Sequence, residues 1–343
     1  MTIDGSGTPT GELPKRALAE RAMRRSWFPV ARSVDLSKPQ RATLLGVNLV
    51  VFRRSDGQVS VLPRRCPHRG GDFSQGQQHG QDIACSYHGW RFSGVDGSCT
   101  YIPSLEDQGK IPPKARVKLY PAVERYGHVW TALEDPLAPM YDLDEWNSVE
   151  LEWLAADPLE SPTGVAVAIE NFRDVAHFPF VHRATMGDVA EAVEPLDVHR
   201  EGLDVWMDRE LVATEGEWNN DGDQMMRYHC VAPGLASITF TSEKLGARVV
   251  AGFPSPVAYD QVKIFWGVAN ERGYRGNDLG HNLELEQRVY LEDLPIAAGL
   301  EPREVPWDGE YEEFSVPADL FTLSYRRAFQ ELMNRALASE SHG

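Results

Sequence analysis

Cys66, His68, Cys85 and His88 stand in the strings CPHRG and CSYHGW, as CxH, a gap of sixteen residues, and CxxH. Whatever this chain folds into must bring those two short strings together. Each string can hand a thiolate to one iron and an imidazole to another, so that two loops enclose a single [2Fe–2S] cluster whose two irons have different ligands. Neutral imidazoles in place of two thiolates reduce the negative charge around the irons, which raises the reduction potential by roughly several hundred millivolts over an all-cysteine cluster. Pro67, Gly70, Gly71 and Gly89 supply the turn geometry and close backbone approach that a cluster-wrapping loop needs.

Two other uses of such residues compete. Structural zinc sites also take two Cys and two His, but they usually pair Cys with Cys and His with His, whereas here each pair is mixed. A disulfide between Cys66 and Cys85 would leave both histidines unexplained, and four cysteines in 343 residues is not a disulfide framework. The ligand pattern is that of a Rieske-type centre. Cys99 and Cys230 stand in no string with the CxH or CxxH spacing, have no evident metal-ligand partner, and read as small core residues.

The length suffices for two domains. The first 25 residues lack an apolar run of the signal-peptide type, and no stretch of eighteen apolar residues occurs, so the expectation is a cytoplasmic protein that does not span a membrane. A formal charge of −17 argues against nucleic acid or an anionic membrane as partner. Around the first cluster string the sign reverses: Arg53, Arg54, Arg64, Arg65 and Arg69 stand against Asp56 alone, which reads as a solvated loop or as a docking patch for an acidic electron carrier.

Short β-rich runs fill residues 27–133, among them WFPVA, ATLLGVNLVVF, VSVLP and VKLYPAVERYGHVWTAL, with turn signals at Ser55-Asp56-Gly57 and Asp96-Gly97. They predict an all-β module with both ligand strings on its loops. Residues 134–160, with EDPLAP, DLDEW and ADPLESP, read as an acidic, proline-rich connection. Beyond it a helical pattern over 163–190 is interrupted by Pro179. Strands follow in LASITFT, ARVVAGF and QVKIFWGVA, and LFTLSYRRAFQELMNRAL is helical. The expected class is α+β, divided as a 1–26 N-terminal segment, a 27–140 cluster domain and a 141–343 catalytic domain. Residues 1–14 and the final SESHG are expected to be mobile.

The helical pattern carries a second constellation, Asn171, Asp174, His177 and His182, spaced NxxDxxHxxxxH. Histidines five apart do not share a face of an ideal helix, but a break at Pro179 can re-aim the second so that the imidazoles converge. One added carboxylate would complete the facial triad of non-haem ferrous iron, which leaves positions open for dioxygen. Asp174, three residues before His177 on a helix, can accept that imidazole's ring N–H. A pair of histidines is by itself more often structural. Beside an electron-transfer cluster, however, an oxygen-activating iron is the natural electron acceptor.

In their order, CPHRG, CSYHGW and NxxDxxHxxxxH resemble the catalytic subunit of the Rieske non-haem iron oxygenases, over the chain from about Trp27 onward. The likeness is to the single-subunit branch that includes vanillate O-demethylase, dicamba O-demethylase and phthalate dioxygenase. It implies a Rieske domain followed by a helix-grip catalytic domain, an antiparallel sheet with helices. It also implies Asp293, in YLEDLPIAAGLEP, as the third ligand of the mononuclear Fe(II), with Glu292 as the alternative. Further, it implies a head-to-tail homotrimer in which Asp174 bridges to His88 of the partner subunit, and Asn171 beside the iron without ligating it.

The implied reaction takes O2 and electrons from NAD(P)H, through a separate reductase or ferredoxin, to oxidise a small aromatic or alicyclic molecule. The chain has neither a dinucleotide fingerprint nor a plant-type ferredoxin cysteine run of its own. Monooxygenation, as hydroxylation or O- or N-demethylation, is the expected outcome, with ring cis-dihydroxylation as the alternative. A non-catalytic Rieske carrier or redox sensor is the reading from another class, and the length beyond the cluster domain opposes it. Phe178, Met186, Ile238, Phe240, Phe253 and Trp266 are candidates for an apolar substrate pocket, ordinary core being their other reading.

Overall fold

The computed structural model describes residues 13–211 and 224–339. The expectation of mobile ends therefore falls mostly outside the described residues, Leu13, Pro14 and Ser339 excepted. Helix α1 (Lys15–Arg24) forms within the N-terminal segment because Leu18, Ala19, Ala22 and Met23 make one buried stripe, which packs against the C-terminal helix. Its first free amides, at Lys15 and Arg16, donate to the Asp308 carboxylate at 2.6 and 3.1 Å.

Ten short strands follow: β1 (Phe28–Arg32), β2 (Gln40–Leu44), β3 (Val47–Arg53), β4 (Val59–Pro63), β5 (Gln77–His79), β6 (Asp82–Ala84), β7 (Arg91–Ser93), β8 (Cys99–Tyr101), β9 (Ala122–Arg125) and β10 (His128–Thr131). They pair in three antiparallel sheets, β1-β10-β9, β2-β3-β4 and β5-β6-β7-β8. Two-residue turns close the tightest hairpins. Leu45-Gly46 has φ of 46° and 74°, the left-handed pair that matches the twist of the flanking strands. The amides of that turn donate to the carbonyls of Pro256 and Val257 at 2.7 and 2.9 Å, which fixes the hairpin tip on the catalytic sheet.

After α2 (Asp144–Asn147), strands β11 (Leu151–Ala155) and β12 (Leu159–Ser161) arise inside the expected connection. Proline and acid content hid them; the Leu151-Glu152-Trp153-Leu154-Ala155 run has strand character and finds a partner far along the chain. Helices α3 (Val165–Arg173), α4 (Phe178–Val181) and α5 (Arg183–Met186) come next. The meander β13 (His199–Glu201), β14 (Asp204–Leu211), β15 (Gln224–Val231), β16 (Leu235–Ser242), β17 (Gly246–Ala258) and β18 (Gln261–Glu271) then builds most of an eight-stranded antiparallel sheet that β11 and β12 complete against β18. Helix α6 (Leu279–Gly299) and helix α7 (Leu320–Ala338) close the described chain.

Strand periodicity sorts the sheet into two faces. Val250, Gly252 and Pro254 of β17 look toward α3 and α6, and Phe253 looks the other way, onto Trp130 at 4.9 Å. The site lies on the α3/α6 face. The fold is thus an all-β domain followed by a helix-flanked antiparallel sheet.

Candidate functional site

The two cluster strings occupy equivalent loops, one after β4 and one between β6 and β7. In each, the amide four residues on returns to the cysteine carbonyl, Gly70 to Cys66 and Gly89 to Cys85, both at 2.9 Å. Both glycines adopt positive φ, 71° and 69°, which only glycine does without strain. Cys66 and Cys85 are buried, and His88 is exposed. His68 stacks on Trp90 at 4.2 Å and meets His88 edge-on at 4.7 Å. Burial pushes the Cys66 thiol up to about 11 while Cys85 lies beside it. Two features fit a cluster between these loops. The His68 Nδ1 atom is buried without a partner among the described residues, and a Cβ on Gly71 would lie 2.6 Å from Cys85 Sγ, so the cradle tolerates glycine alone.

Of the five arginines near this end, three are already engaged. Arg53 forks onto Glu124 at 2.7 Å, Arg54 pairs with Asp56 at 3.1 Å and Arg64 with Asp72 at 3.7 Å. Arg65 and Arg69 have no carboxylate partner among the described residues.

At the second constellation the helix does not run to Pro179. α3 stops at Arg173, because Asp174 turns extended (φ −72°, ψ 118°). Its carboxylate accepts the Ala176 amide at 2.8 Å, the local bond by which Asp competes with helix. Pro179 sits in the first turn of α4, where its missing N–H costs nothing. His177 and His182 flank this one-turn helix, and their Nε2 atoms lie 3.0 Å apart. Asp293, inside α6, places Oδ1 at 3.5 Å from the first and 3.2 Å from the second. One ion about 2.1 Å from three donors at right angles would hold them about 3 Å apart, so the triangle fits a facially bound metal.

Each imidazole is held from behind. His177 Nδ1 faces Asp174 at 3.3 Å and His182 Nδ1 faces Glu292 at 2.8 Å, which leaves both Nε2 atoms turned to the triangle. Glu292, the alternative ligand on sequence grounds, therefore takes a supporting place, and the Thr185 hydroxyl donates to its other oxygen. Asn171 Nδ2 donates to Asp293 Oδ1 at 3.4 Å. Glu304 accepts the Ala166 amide at 3.2 Å, where α3 lacks a capping side chain. Sequence reading missed Thr185 and Glu304; no spacing marks them. Burial opposes the charge on His177, but Asp174 and Asp293 outweigh it and raise its pKa to about 9. Burial likewise opposes ionisation of Asp293, and the two imidazoles hold it below the usual carboxylate range.

Beside the triangle lies an apolar cavity walled by Phe172, Phe178, Met186, Ile238, Val250 and Tyr290. A second cavity shares Asn171, Phe172, Tyr290 and Asp293 with it and continues past Val167, Ile264 and Leu300. Of the sequence candidates, Phe178, Met186 and Ile238 line the first cavity. Three others do not reach either. Phe253 points to the opposite face, Phe240 lies under the Arg248 guanidinium at 3.7 Å, and Trp266 lies under the Tyr290 ring at 4.8 Å. Among the described residues no helix is long and apolar enough to cross a membrane.

Comparison with known proteins agrees with this architecture. Residues 26–121 match the Rieske [2Fe-2S] domain family, and residues 163–335 match the vanillate O-demethylase oxygenase C-terminal domain family. Methylxanthine N1-demethylase NdmA of Pseudomonas putida is 27% identical over 333 residues, 90% of this chain and 89% of that protein. Oxidoreductase NdmD of the same species is 38% identical over 122 residues, a stretch of 35% of this chain and only 21% of NdmD. The solved structure of NdmA with caffeine superposes with a TM-score of 0.78 at 24% identity, covering 92% of this chain and 93% of that one. Dicamba monooxygenase bound to dicamba gives a TM-score of 0.75 at 19% identity, covering 92% of this chain and 99% of that one. The chain belongs to the Rieske non-haem iron oxygenases, enzymes that work with a [2Fe–2S] cluster, a mononuclear iron and dioxygen.

Proposed function

We propose that this chain is a cytoplasmic terminal oxygenase that removes a methyl group from, or hydroxylates, a small aromatic or heteroaromatic molecule. Electrons come from NAD(P)H through a separate reductase or ferredoxin. The observation that carries this reading is the convergence of His177, His182 and Asp293, with donor atoms 3.0 to 3.5 Å apart, on the wall of an apolar cavity. The cluster, held by Cys66, His68, Cys85 and His88, would supply electrons singly, and the iron, held by the triangle, would bind and activate O2.

The protein's own part is positional. Asp174 and Glu292 fix the imidazole orientations and raise their basicity as ligands. Asn171 steadies the Asp293 carboxylate without entering the triangle. Phe172, Phe178, Met186 and Ile238 keep water from the reacting carbon, so that a bound substrate meets a dry wall. In the net reaction one oxygen atom enters a C–H bond and the other leaves as water, with two electrons and two protons from the donor. An N- or O-methyl carbon hydroxylated in this way departs as formaldehyde.

His88 is exposed on the cluster loop and Asp174 is more than one-third exposed at the triangle. This supports a head-to-tail homotrimer in which Asp174 meets His88 of the partner subunit and completes the electron path. The methylxanthine activity in NdmA's name supports N-demethylation among the candidate reactions.

The test is oxygen uptake by the holoenzyme with NADH and a surrogate reductase, across a panel of N-methyl and O-methyl aromatics. Substrate-triggered uptake with formaldehyde release is expected. Cluster reduction with no substrate-dependent uptake would reassign the chain as a carrier, and a product retaining both oxygen atoms as a cis-diol would make it a dihydroxylase.

A further inference from the structure

The two cavities share one polar side chain that no described residue satisfies. Tyr290 is 6% exposed, lines both cavities, and its hydroxyl has no hydrogen-bond partner among the described residues. Trp266 at 4.8 Å and Phe172 at 5.5 Å confine the ring. Space for the hydroxyl comes from β17, where a Cβ on Gly252 would lie 2.5 Å from it. An unmet buried hydroxyl destabilises a fold, so its position between two chambers indicates an acceptor that arrives with the ligand.

The charges around the cavities narrow the ligand further. Among the described residues no lysine or arginine lines either chamber. Arg248 pairs with Glu286 at 3.4 Å, and Arg173 donates to the Ser237 carbonyl while stacking over the Phe172 ring at 4.3 Å. The Ser161 and Thr163 hydroxyls bond each other at 3.0 Å. An anionic substrate would meet the Asp293 and Glu286 carboxylates on the wall of the first chamber, with no lysine or arginine among the described lining residues to receive its own charge.

We propose that Tyr290 orients the substrate by donating its O–H, and that the substrate class is an uncharged, largely apolar aromatic molecule carrying a carbonyl or ring-nitrogen acceptor. With that acceptor held at Tyr290, the oxidisable carbon faces the triangle of His177, His182 and Asp293. The proposal rests on the oxygenase reading and adds to it the polarity and charge of the substrate.

Calorimetric binding of three matched probes to the holoenzyme tests it: 4-methoxyacetophenone, 4-ethylanisole, which lacks the carbonyl, and 4-methoxybenzoate, which carries a charge. Wild type should bind the ketone most tightly and the carboxylate least. Tyr290→Phe should weaken the ketone about three- to tenfold, the size of one neutral hydrogen bond, and leave 4-ethylanisole unchanged. Gly252→Ala, which displaces the hydroxyl, should abolish the same preference.

Without ligand, Tyr290→Phe should melt no lower than wild type, because it removes an unsatisfied group. A lower melting temperature would show a structural partner and overturn the proposal. So would a ketone affinity untouched by Tyr290→Phe, tighter binding of the carboxylate, or no binding of the ketone at millimolar concentration. Oxygen uptake with the same probes is read separately. If the binding pattern holds but no probe triggers uptake, recognition by Tyr290 stands and the oxygenase reading falls. If uptake is substrate-triggered but the ketone preference ignores Tyr290, the proposal falls alone.

Discussion

Glu292 and Asp293 are neighbours in the chain and serve different atoms, because successive residues of a helix point about 100° apart. Asp293 enters the triangle, and Glu292 passes behind it to His182 Nδ1. The family resemblance pointed to Asp293, with Glu292 as the alternative, and the rotation of α6 shows why the two acids part. Glu292→Gln keeps the shape but loses the charge that steadies the imidazole, so iron affinity should fall about ten- to a hundredfold while the cluster spectrum is unchanged. Anaerobic iron titration reads this, and unchanged affinity would contradict the role. His128 poses a different case. Its Nδ1–H donates to the Tyr126 carbonyl at 2.7 Å, and Nε2 is buried between Phe253 and Phe265 without a partner among the described residues. Burial lowers its pKa to about 4. The unfolded chain takes up this proton near pH 6.5, so stability is intact above that value and is lost as pH falls toward 4, by up to about 3 kcal/mol. Urea unfolding between pH 4 and 7 should show this acid limb in wild type and a shallower one in His128→Phe.

Among the elements, regular pieces were legible and their ends were not. The β17 and β18 runs were readable because alternation survives burial on a two-faced sheet. The same alternation, counted one residue further, would have removed Phe253 from the pocket candidates. The stop of α3 at Asp174 was missed because proline is the louder helix breaker, although the Asp174 carboxylate, accepting the Ala176 amide, had already ended the helix. Strands β11 and β12 were hidden because their partner, β18, lies more than a hundred residues on. The cluster loops are the elements most constrained by shape. Gly71→Ala would push a methyl onto Cys85 Sγ, at 2.6 Å before relaxation. The variant should lose most of its visible cluster absorbance and its acid-labile sulfide; full retention would show that the loop gives way.

At the scale of the whole molecule, the cluster string and the triangle strings are far apart in sequence, and their pairing in function was legible only through the family resemblance. Local geometry places Arg65 and Arg69 beside the cluster, free of the carboxylates that engage Arg53, Arg54 and Arg64. Reversing both to Glu should slow reduction by an acidic ferredoxin about tenfold at low salt and flatten its salt dependence. Stopped-flow rates equal to wild type would place the donor elsewhere. The central claim, that one chain carries both a cluster and a separate mononuclear iron, is tested most directly by iron and sulfide analysis of wild type beside a His177→Ala/His182→Ala variant. Three irons and two sulfides per wild-type chain are predicted, with two of each in the variant and an unaltered paramagnetic resonance signal from its reduced cluster. A wild-type chain holding only two irons, or a variant that keeps the third, would contradict the account.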